Sequence, residues 1–344
     1  MNSYLAAAKI RDTATIVPQQ IDIRTALKEG MSRLRAANTP SHALATELLL
    51  MHALGHDRAW MYAHMEEPLA AADSEKFFAL IARRAAGEPT QYLTGKQEFW
   101  GLEFAVTPAV LIPRPETEHV MEVALARLSE RGINCHPGTH AAASRERLRV
   151  ADVGTGSGCL AVALACELPY AEVYATDIST PALEIAQGNA ARHSVADRVH
   201  FLRCDLLEGL QDANSPAAVA WHAVPAAGAA TVPPSASAAP LFDVIVSNPP
   251  YISLEEAPNL PREVRDHEPQ QALFGGRTGV EIYARLIAQA RDLLRDRGIL
   301  VLELGHDSAE YVRGIFDEQP GWTNVAITTD LAGIARVLAA ERAR

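Results

Sequence analysis

From residue 148 onward, the sequence alternates between short apolar runs and segments with helical character. The apolar runs are LRVADVG, AEVYATD, VHFLRCD, FDVIVS and GILVLELG, and helical stretches such as CLAVALACEL and PALEIAQGNAARH lie among them. Strands that are separated by helices form right-handed βαβ units in a mostly parallel sheet. Such a sheet binds ligands beyond the carboxyl ends of its strands. The pattern therefore predicts an α/β fold whose functional residues follow the strands.

The first ninety residues have a different pattern. Residues 1–18 lack a sustained period, which predicts a loose tail, whereas residues 19–90 have the three- and four-residue spacing of helices. Two apolar stripes are predicted to face the core of this region; they consist of Ile23, Leu27, Met31 and Leu34, and of Leu44, Leu48 and Met51. We therefore predict a small helical domain over 19–90.

The remaining organisation follows from composition. Residues 91–118 are rich in aromatic residues and proline, which predicts a connector or hairpin, and residues 119–344 form the second domain. Within that domain, residues 213–240 are rich in Ala, Pro and Ser and contain no charged residue. A segment of this composition buries too little side-chain area to offset the entropy of ordering. It is predicted to be a flexible insertion.

Charge and residue usage exclude several classes of protein. The chain has 31 basic and 42 acidic residues, a net charge of −11, which argues against naked nucleic acid as the main partner. Lysine is absent after Lys96, so the later chain holds neither a P-loop lysine nor a Schiff-base lysine. The four cysteines form no CxxC pair, and no apolar stretch reaches the ~20 residues of a membrane span. We expect a cytoplasmic protein without a metal site.

A glycine-rich turn follows the first strand of the α/β region. The sequence DVGTGSG begins at Asp152, and its spacing is GxGxG because Cys159 stands where a dinucleotide fingerprint requires glycine. Such a turn lets the backbone approach a ligand at a helix start. It suits the amino-acid end of S-adenosylmethionine (SAM), and the candidate contacts are Gly154, Thr155, Gly156, Ser157 and Gly158. The alternative is a tight turn that binds nothing.

Two acidic residues end the next two strands. Asp177 closes AEVYATD, where a carboxylate can accept hydrogen bonds from both ribose hydroxyls, and Asp205 closes FLRCD, where it can meet the adenine amino group. As alternatives, Asp177 caps the helix that follows beside Thr180 and Pro181, and Asp205 is a capping or turn residue. The succession of a glycine turn and two acids at consecutive strand ends favours the cofactor.

The fourth strand of this region ends in Asn248-Pro249-Pro250-Tyr251. Two prolines remove two backbone donors, so the carbonyl groups here remain free acceptors, and Asn248 adds a side-chain carbonyl. Two acceptors beside an aromatic ring suit a planar NH2 group, with each N–H bound by one oxygen. The alternative is a proline-rich turn that only closes the strand.

The combination resembles the class I SAM-dependent methyltransferases that modify planar amino nitrogens, with a Rossmann-like sheet. Two branches share the tetrapeptide: DNA adenine-N6 and protein glutamine-N5 methyltransferases. Several further stretches are similar to the release factor glutamine methyltransferase (PrmC/HemK) family; they are RAAGEP at 84–89, QYLTG at 91–95, EFWG at 98–101, LIPRPETE at 111–118, EPQQAL at 268–273, and Gly275, Gly276 and Gly279. The IPRPETE sequence favours the release factor branch over the branch that methylates a ribosomal protein. The resemblance covers about residues 20–340. It departs at Leu206, where some members have an aromatic residue, and at LAGIARV, where a more polar turn is usual.

The resemblance implies an enzyme that transfers a methyl group from SAM to the glutamine N5 of the Gly-Gly-Gln (GGQ) motif in class 1 peptide release factors. It also implies that the helical domain docks this protein substrate. Asn248, Pro249, Pro250 and Tyr251 would be catalytic, while Leu206 and Asn248 would join the cofactor contacts. Arg114, Glu116 and Glu118 are candidates for the glutamine entrance, with structural ion pairing as the alternative. Three other functions stay open: a DNA or RNA adenine-N6 methyltransferase, a ribosomal-protein glutamine methyltransferase, and a non-catalytic SAM-binding docking module.

Overall fold

The computed structural model describes residues 21–133, 148–211 and 242–344. The predicted tail at 1–18 and the predicted insertion at 213–240 lie outside the described residues. The chain divides into two compact units, one ending at Ala86 and the other beginning at Gly87. Within the described ranges, no helix is long and apolar enough to cross a bilayer.

The first unit is helical. Its helices are α1 (Ile23–Ala36), α2 (His42–Leu54), α3 (Arg58–Ala63) and α4 (Ala71–Ala85). Asp22 begins α1, because its carboxylate accepts a hydrogen bond from the Thr25 backbone N–H at 2.7 Å. A Cβ on Gly30 would lie 2.7 Å from side-chain atoms of both Phe77 and Thr46. The absence of a side chain at Gly30 therefore lets α1, α2 and α4 pack closely.

The predicted apolar stripe of α2 is wrong. Leu44 is 49% exposed and Leu48 is 37% exposed, whereas Leu49 and Leu50 are fully buried. The helix HALATELLLMHAL is apolar on nearly all sides, so its periodicity does not distinguish one face from another. Packing against α1 and α4 instead determines which face of α2 is buried.

The second unit opens with a short helix and a hairpin. They are α5 (Thr90–Thr94), β1 (Lys96–Phe99) and β2 (Leu102–Ala105). Trp100 and Gly101 join the two strands with φ values of +55° and +70°, as a two-residue hairpin turn of the primed type requires. A 3₁₀ helix (Pro115–Thr117) then leads directly into α6 (Glu118–Glu130).

A seven-stranded sheet forms the body of this unit. Its strands are β3 (Leu148–Val153), β4 (Ala171–Asp177), β5 (Val199–Arg203), β6 (Phe242–Ser247), β9 (Leu294–Glu303), β10 (Trp322–Thr329) and β11 (Ala335–Arg342), and two short strands, β7 (Ile252–Ser253) and β8 (Phe274–Gly276), pair separately. The associated helices are α7 (Cys159–Glu167), α8 (Thr180–Arg192), α9 (Glu208–Gln211), α10 (Arg262–His267), α11 (Gln270–Leu273), α12 (Glu281–Leu293) and α13 (Ala309–Glu318).

The strand order positions the functional residues. It runs β10-β11-β9-β6-β3-β4-β5; the five strands from β9 to β5 are parallel, and β11 and β10 are antiparallel additions at one side. The predicted mostly parallel α/β sheet is confirmed. Because the chain proceeds outward from β3 to β5 and then returns to place β6 on the other side of β3, the order reverses between β3 and β6. Ligands bind at such a reversal in open α/β sheets.

Candidate active site

The glycine turn follows β3 in a left-handed conformation. Gly154, Gly156 and Gly158 have φ values of +73°, +55° and +81°, which only glycine adopts without strain. A Cβ added to Gly154 or Gly156 would meet no atom within 4 Å. The turn therefore has open space beside its first two glycines, in which a ligand can contact the backbone.

The hydroxyl side chains of the turn face inward. Thr155 is 4% exposed and Ser157 is 2% exposed, and Thr155 Oγ1 donates a hydrogen bond of 2.6 Å to Asp152 Oδ2. Burial raises the pKa of Asp152 to about 7, although hydrogen bonds from Thr155 and the Ala161 N–H lower it in part. The backbone N–H of Ser157 donates to none of the described residues. The two hydroxyl groups are therefore turned away from a ligand, and because the Thr155 N–H donates to the Thr176 carbonyl, Ser157 is the residue of the two that keeps an available backbone N–H among the described residues.

Asp177 lies at the carboxyl end of β4 and organises the same turn. Its Oδ2 accepts a hydrogen bond from the Gly156 N–H and its Oδ1 accepts one from the Ser179 N–H, both at 2.9 Å. The residue that caps α8 is Ser179, whose hydroxyl oxygen accepts from the Ala182 N–H, so the capping alternative for Asp177 is wrong. Burial raises the pKa of Asp177, and the backbone donors oppose that rise. Each carboxylate oxygen keeps a lone pair for a further donor.

Asp205 and Leu206 follow β5. Asp205 Oδ2 accepts a hydrogen bond of 2.7 Å from Arg285, and 42% of the Asp205 side chain is exposed. Leu206 has a φ of +52°, and its backbone carbonyl accepts a hydrogen bond from the Thr176 hydroxyl at 2.8 Å. The pairing with Arg285 was not foreseen from the sequence, because Arg285 lies 80 positions away on α12.

The Asn248-Pro249-Pro250-Tyr251 turn follows β6, the neighbour of β3. Asn248 Nδ2 donates a hydrogen bond of 3.0 Å to Thr117 Oγ1, and no described residue donates to Asn248 Oδ1. The Pro249 and Pro250 carbonyls also accept no hydrogen bond from the described residues. The turn thus has a side-chain oxygen and backbone oxygens whose acceptor capacity is unused.

Tyr251 is held at both ends of its ring. Its hydroxyl donates a hydrogen bond of 3.2 Å to Glu303 Oε1 at the end of β9. A Cβ on Gly305 would lie 2.8 Å from Tyr251 Cδ2, so Gly305 provides the space that the ring occupies. Burial and the adjacent Glu303 carboxyl raise the pKa of the Tyr251 hydroxyl, which keeps it protonated.

Glycines shape the other side of this turn. A Cβ on Gly275 would lie 2.4 Å from the Pro250 carbonyl oxygen, and one on Gly279 would lie 2.4 Å from the Tyr251 carbonyl oxygen. Both distances are far inside van der Waals contact, so only glycine allows this approach. β8 and the residues that follow it therefore pack directly against the backbone of the turn.

Two family models match the chain. The model described as "PrmC N-terminal domain" matches residues 25–95, and "Ribosomal protein L11 methyltransferase (PrmA)" matches residues 139–220. A protein named "Release factor glutamine methyltransferase" from Koribacter versatilis is 40% identical over 92% of this chain and 97% of its own length. A protein of the same name from Moorella thermoacetica is 40% identical over 93% of this chain and 98% of its own. The chain belongs to the release factor glutamine methyltransferase family.

A solved structure of a ribosomal protein L11 methylase from Lactobacillus delbrueckii subsp. bulgaricus is 20% identical, with a TM-score of 0.41. It covers 70% of this chain and 84% of that chain. Membership of the release factor glutamine methyltransferase family confirms the resemblance that the Asn248-Pro249-Pro250-Tyr251 tetrapeptide and the IPRPETE stretch predicted.

The three candidates for the glutamine entrance all have structural partners in this family member. Arg114 is paired with Glu268, whose side chain is 1% exposed, and Arg336 lies 3.9 Å from Glu116. Glu118 Oε1 accepts a hydrogen bond of 2.8 Å from the Trp100 N–H in the hairpin turn. The entrance role of Arg114, Glu116 and Glu118 stays a prediction beside these structural roles.

Two site residues were missed from the sequence. Thr117 belongs to the LIPRPETE stretch, which gives it no role of its own, and Glu303 belongs to the apolar run GILVLELG, which predicts a strand. Glu303 is the only charged residue of ILVLELG at 299–305, and it stands at the carboxyl end of a parallel strand. Burial raises the pKa of Glu303 to about 7, while hydrogen bonds from Thr117 and Tyr251 lower it in part. A lone carboxyl group at that position was the signal that could have identified it.

The close approach of α8 to the glycine turn gives a stability prediction for this methyltransferase. We expect Gly158→Ala to lower the free energy of unfolding by about 3 kcal/mol, because its Cβ would lie 3.0 Å from Ala186 Cβ and its φ is unfavourable. Gly154→Ala is the matched control, with a similar φ and no neighbour within 4 Å, and should cost about 1 kcal/mol. Chemical denaturation of both variants measures the difference, and equal losses would show that the contact with α8 is unimportant.

Proposed function

We propose that the protein transfers a methyl group from SAM to the side-chain N5 of the glutamine in the GGQ motif of class 1 peptide release factors. One observation carries the proposal: β3 and β6 are neighbours at the strand-order reversal, so the glycine turn and the Asn248 turn end adjacent strands. Membership of the release factor glutamine methyltransferase family supports the substrate. Such an enzyme acts in the cytoplasm, where release factors work.

The residues at the strand ends fit SAM. The open space beside Gly154 and Gly156 admits the amino-acid end, and the Ser157 N–H just before α7, which donates to none of the described residues, suits its carboxylate. The spare lone pairs of Asp177 suit the two ribose hydroxyls, and Asp205 and Leu206 lie at the next strand end, where the adenine would reach. SAM supplies an activated methyl group on a sulfonium, so the protein needs no nucleophilic side chain.

The protein contributes orientation and electrostatics. An amide nitrogen is a poor nucleophile because its lone pair is delocalised into the carbonyl group. In our proposal, Asn248 Oδ1 and the Pro249 carbonyl accept the two hydrogens of the substrate NH2 group, and the Tyr251 ring packs on the amide plane. Fixing the nitrogen in line with the methyl carbon and the sulfur lowers the barrier by several kcal/mol. The N–C bond would form as the C–S bond breaks, the electron pair would stay on the sulfur, and the methylated nitrogen would lose one proton to water. The same oxygens stabilise the positive charge that grows on nitrogen.

The proposal also assigns a function to the helical unit that ends at Ala86. It contains most of the residues matched by the PrmC N-terminal domain model, and we assign it to docking of the release factor. The methyl-accepting glutamine would then reach the second unit as part of a folded protein.

Incubation with methyl-labelled SAM and a purified class 1 release factor tests this function. The expected result is one added methyl group per release factor, located by mass spectrometry on the GGQ glutamine, with no label when that glutamine is replaced by alanine. Label in nucleic acid would support an adenine methyltransferase instead, and label in a ribosomal protein would support the sister branch. SAM binding without transfer to any of these would indicate a docking module.

A further inference from the structure

Thr117 is a buried residue whose hydroxyl does not serve its own helix. It directly precedes α6 and is 2% exposed, but its backbone is already helical and its side chain makes no capping hydrogen bond. Its oxygen accepts the hydrogen bond from Asn248 Nδ2, and its hydroxyl interacts with the Glu303 carboxyl group. The hydroxyl of Thr117 therefore lies between the catalytic amide and a buried acid.

The orientation of the Asn248 amide matters for the proposed reaction. The two ends of a carboxamide are nearly the same size, so its hydrogen-bond partners decide which end faces the substrate. A substrate NH2 group needs the oxygen. If the Asn248 amide rotated by half a turn, Nδ2 would confront the substrate hydrogens and binding would become repulsive.

An ionised Glu303 fixes this orientation through Thr117. A carboxylate only accepts hydrogen bonds, so the single hydrogen of the Thr117 hydroxyl is drawn to Glu303. The Thr117 oxygen is then left as an acceptor, which bonds the NH2 end of Asn248. Glu303 Oε2 is buried without a hydrogen-bond partner among the described residues, so the carboxylate retains unused acceptor capacity.

We propose that Thr117 and Glu303 are positioning residues that orient Asn248 so that Oδ1 faces the substrate amide. The inference rests on the proposed function and deepens it. Because the Tyr251 hydroxyl also donates to Glu303, one carboxylate orients both the amide and the aromatic ring of the turn.

This hydrogen-bond arrangement of Glu303, Thr117 and Asn248 is sensitive to pH. When Glu303 gains a proton, it can donate to Thr117, and the Thr117 hydrogen is then free to bind Asn248 Oδ1. Burial places the pKa of Glu303 at about 7, so kcat should fall as the pH falls through that value. The charged or titratable groups that act on this carboxyl are Tyr251, Tyr283, Glu116, Arg336 and Cys159.

The first test compares Thr117→Val with Thr117→Ser. Valine keeps the shape and removes the hydroxyl, so we expect kcat to fall about 10- to 100-fold, with SAM affinity and the KM for the release factor within about threefold of wild type. Serine retains the hydroxyl and should restore most of the rate. Thr323→Val is the matched control, since its hydroxyl donates to the Glu341 carbonyl and the residue lies at the start of β10, away from the carboxyl strand ends that hold the site.

The second test uses Glu303→Gln, which keeps the shape but introduces an NH2 donor. The acid-side fall of kcat should disappear in this variant, and its rate should be low at every pH. An acid limb that persists unchanged would overturn the role of Glu303. If the variant does not fold, the two Thr117 variants decide, because wild-type kcat in Thr117→Val excludes the proposal.

A spectroscopic measurement separates this inference from the proposed function. The side-chain NH2 resonance of Asn248 in NMR spectra should shift in Thr117→Val and remain near its wild-type position in Thr117→Ser, without any substrate. A wild-type enzyme that fails to methylate release factors while showing this pattern would overturn the function and leave the positioning intact. An active wild type with an unmoved resonance in Thr117→Val would overturn the positioning alone.

Discussion

Replacing Asn248 by alanine is expected to slow methyl transfer about 100-fold or more while SAM binds with nearly wild-type affinity. In our proposal the variant removes an oxygen that binds the substrate amide, and loss of one preorganised hydrogen-bonding group in an active site costs about this much. It also releases Thr117, whose oxygen loses the Asn248 donor. Single-turnover rates with a release factor measure the transfer step, and calorimetry measures the binding of SAM.

Asn259→Ala is the control for this experiment. Asn259 lies on the same stretch of chain beyond β7, but it is exposed in a 3₁₀ helix and should leave both measurements unchanged. Undiminished turnover of Asn248→Ala would show that Asn248 does not bind the substrate amide during transfer. Equal losses of transfer and of SAM affinity would assign Asn248 to the cofactor instead.

Replacing Asp177 by alanine is expected to weaken SAM binding about 100-fold or more. Hydrogen bonds to a charged group contribute about 1.5–3 kcal/mol each, and about 1.4 kcal/mol corresponds to a tenfold change in affinity. Alanine would remove the bonds to ribose that we propose for the Asp177 carboxylate and, in addition, the bond from the Gly156 N–H that shapes the glycine turn. Asp177→Asn should lose less, because the amide retains one acceptor oxygen.

Ser179→Ala separates the two roles around α8. It removes the helix cap, which should cost about 1 kcal/mol of stability, but it leaves the backbone N–H that donates to Asp177 in place. SAM affinity should therefore be unchanged in this variant. Calorimetric titration of all three variants checks the assignment, which fails if Asp177→Ala binds SAM as tightly as the wild-type protein.

The sheet and the motifs at its strand ends were predictable because their signals are local. Alternating strands and helices force a parallel sheet, and the carboxyl ends of parallel strands share one edge. Gly154, Asp177 and Asn248 each follow an apolar run directly, so their places could be derived from the sequence alone.

What escaped the sequence analysis depends on contacts between distant parts of the chain. Thr117 and Asn248 are 131 positions apart, and Tyr251 and Glu303 are 52 apart. No periodicity links such pairs, since each partner has an ordinary local explanation, a helix start for Thr117 and a strand residue for Glu303. The exposed face of α2 was misassigned for a related reason, because only its packing partners choose between its apolar sides.

Because these residues are far apart in the sequence, the parts of the site should form one after another during folding. The turn that would hold the cofactor derives from the nearly contiguous run of β3, β4 and α7. The contacts that hold the Asn248 turn involve Thr117, which precedes the sheet, and Glu303 at the end of β9, and contacts across such spans form only after large chain loops close. A nascent chain that stops short of β9 would thus contain the glycine turn but lack the contacts that Glu303 makes with the Asn248 turn. Methyl transfer consequently reports on completion of the whole second unit.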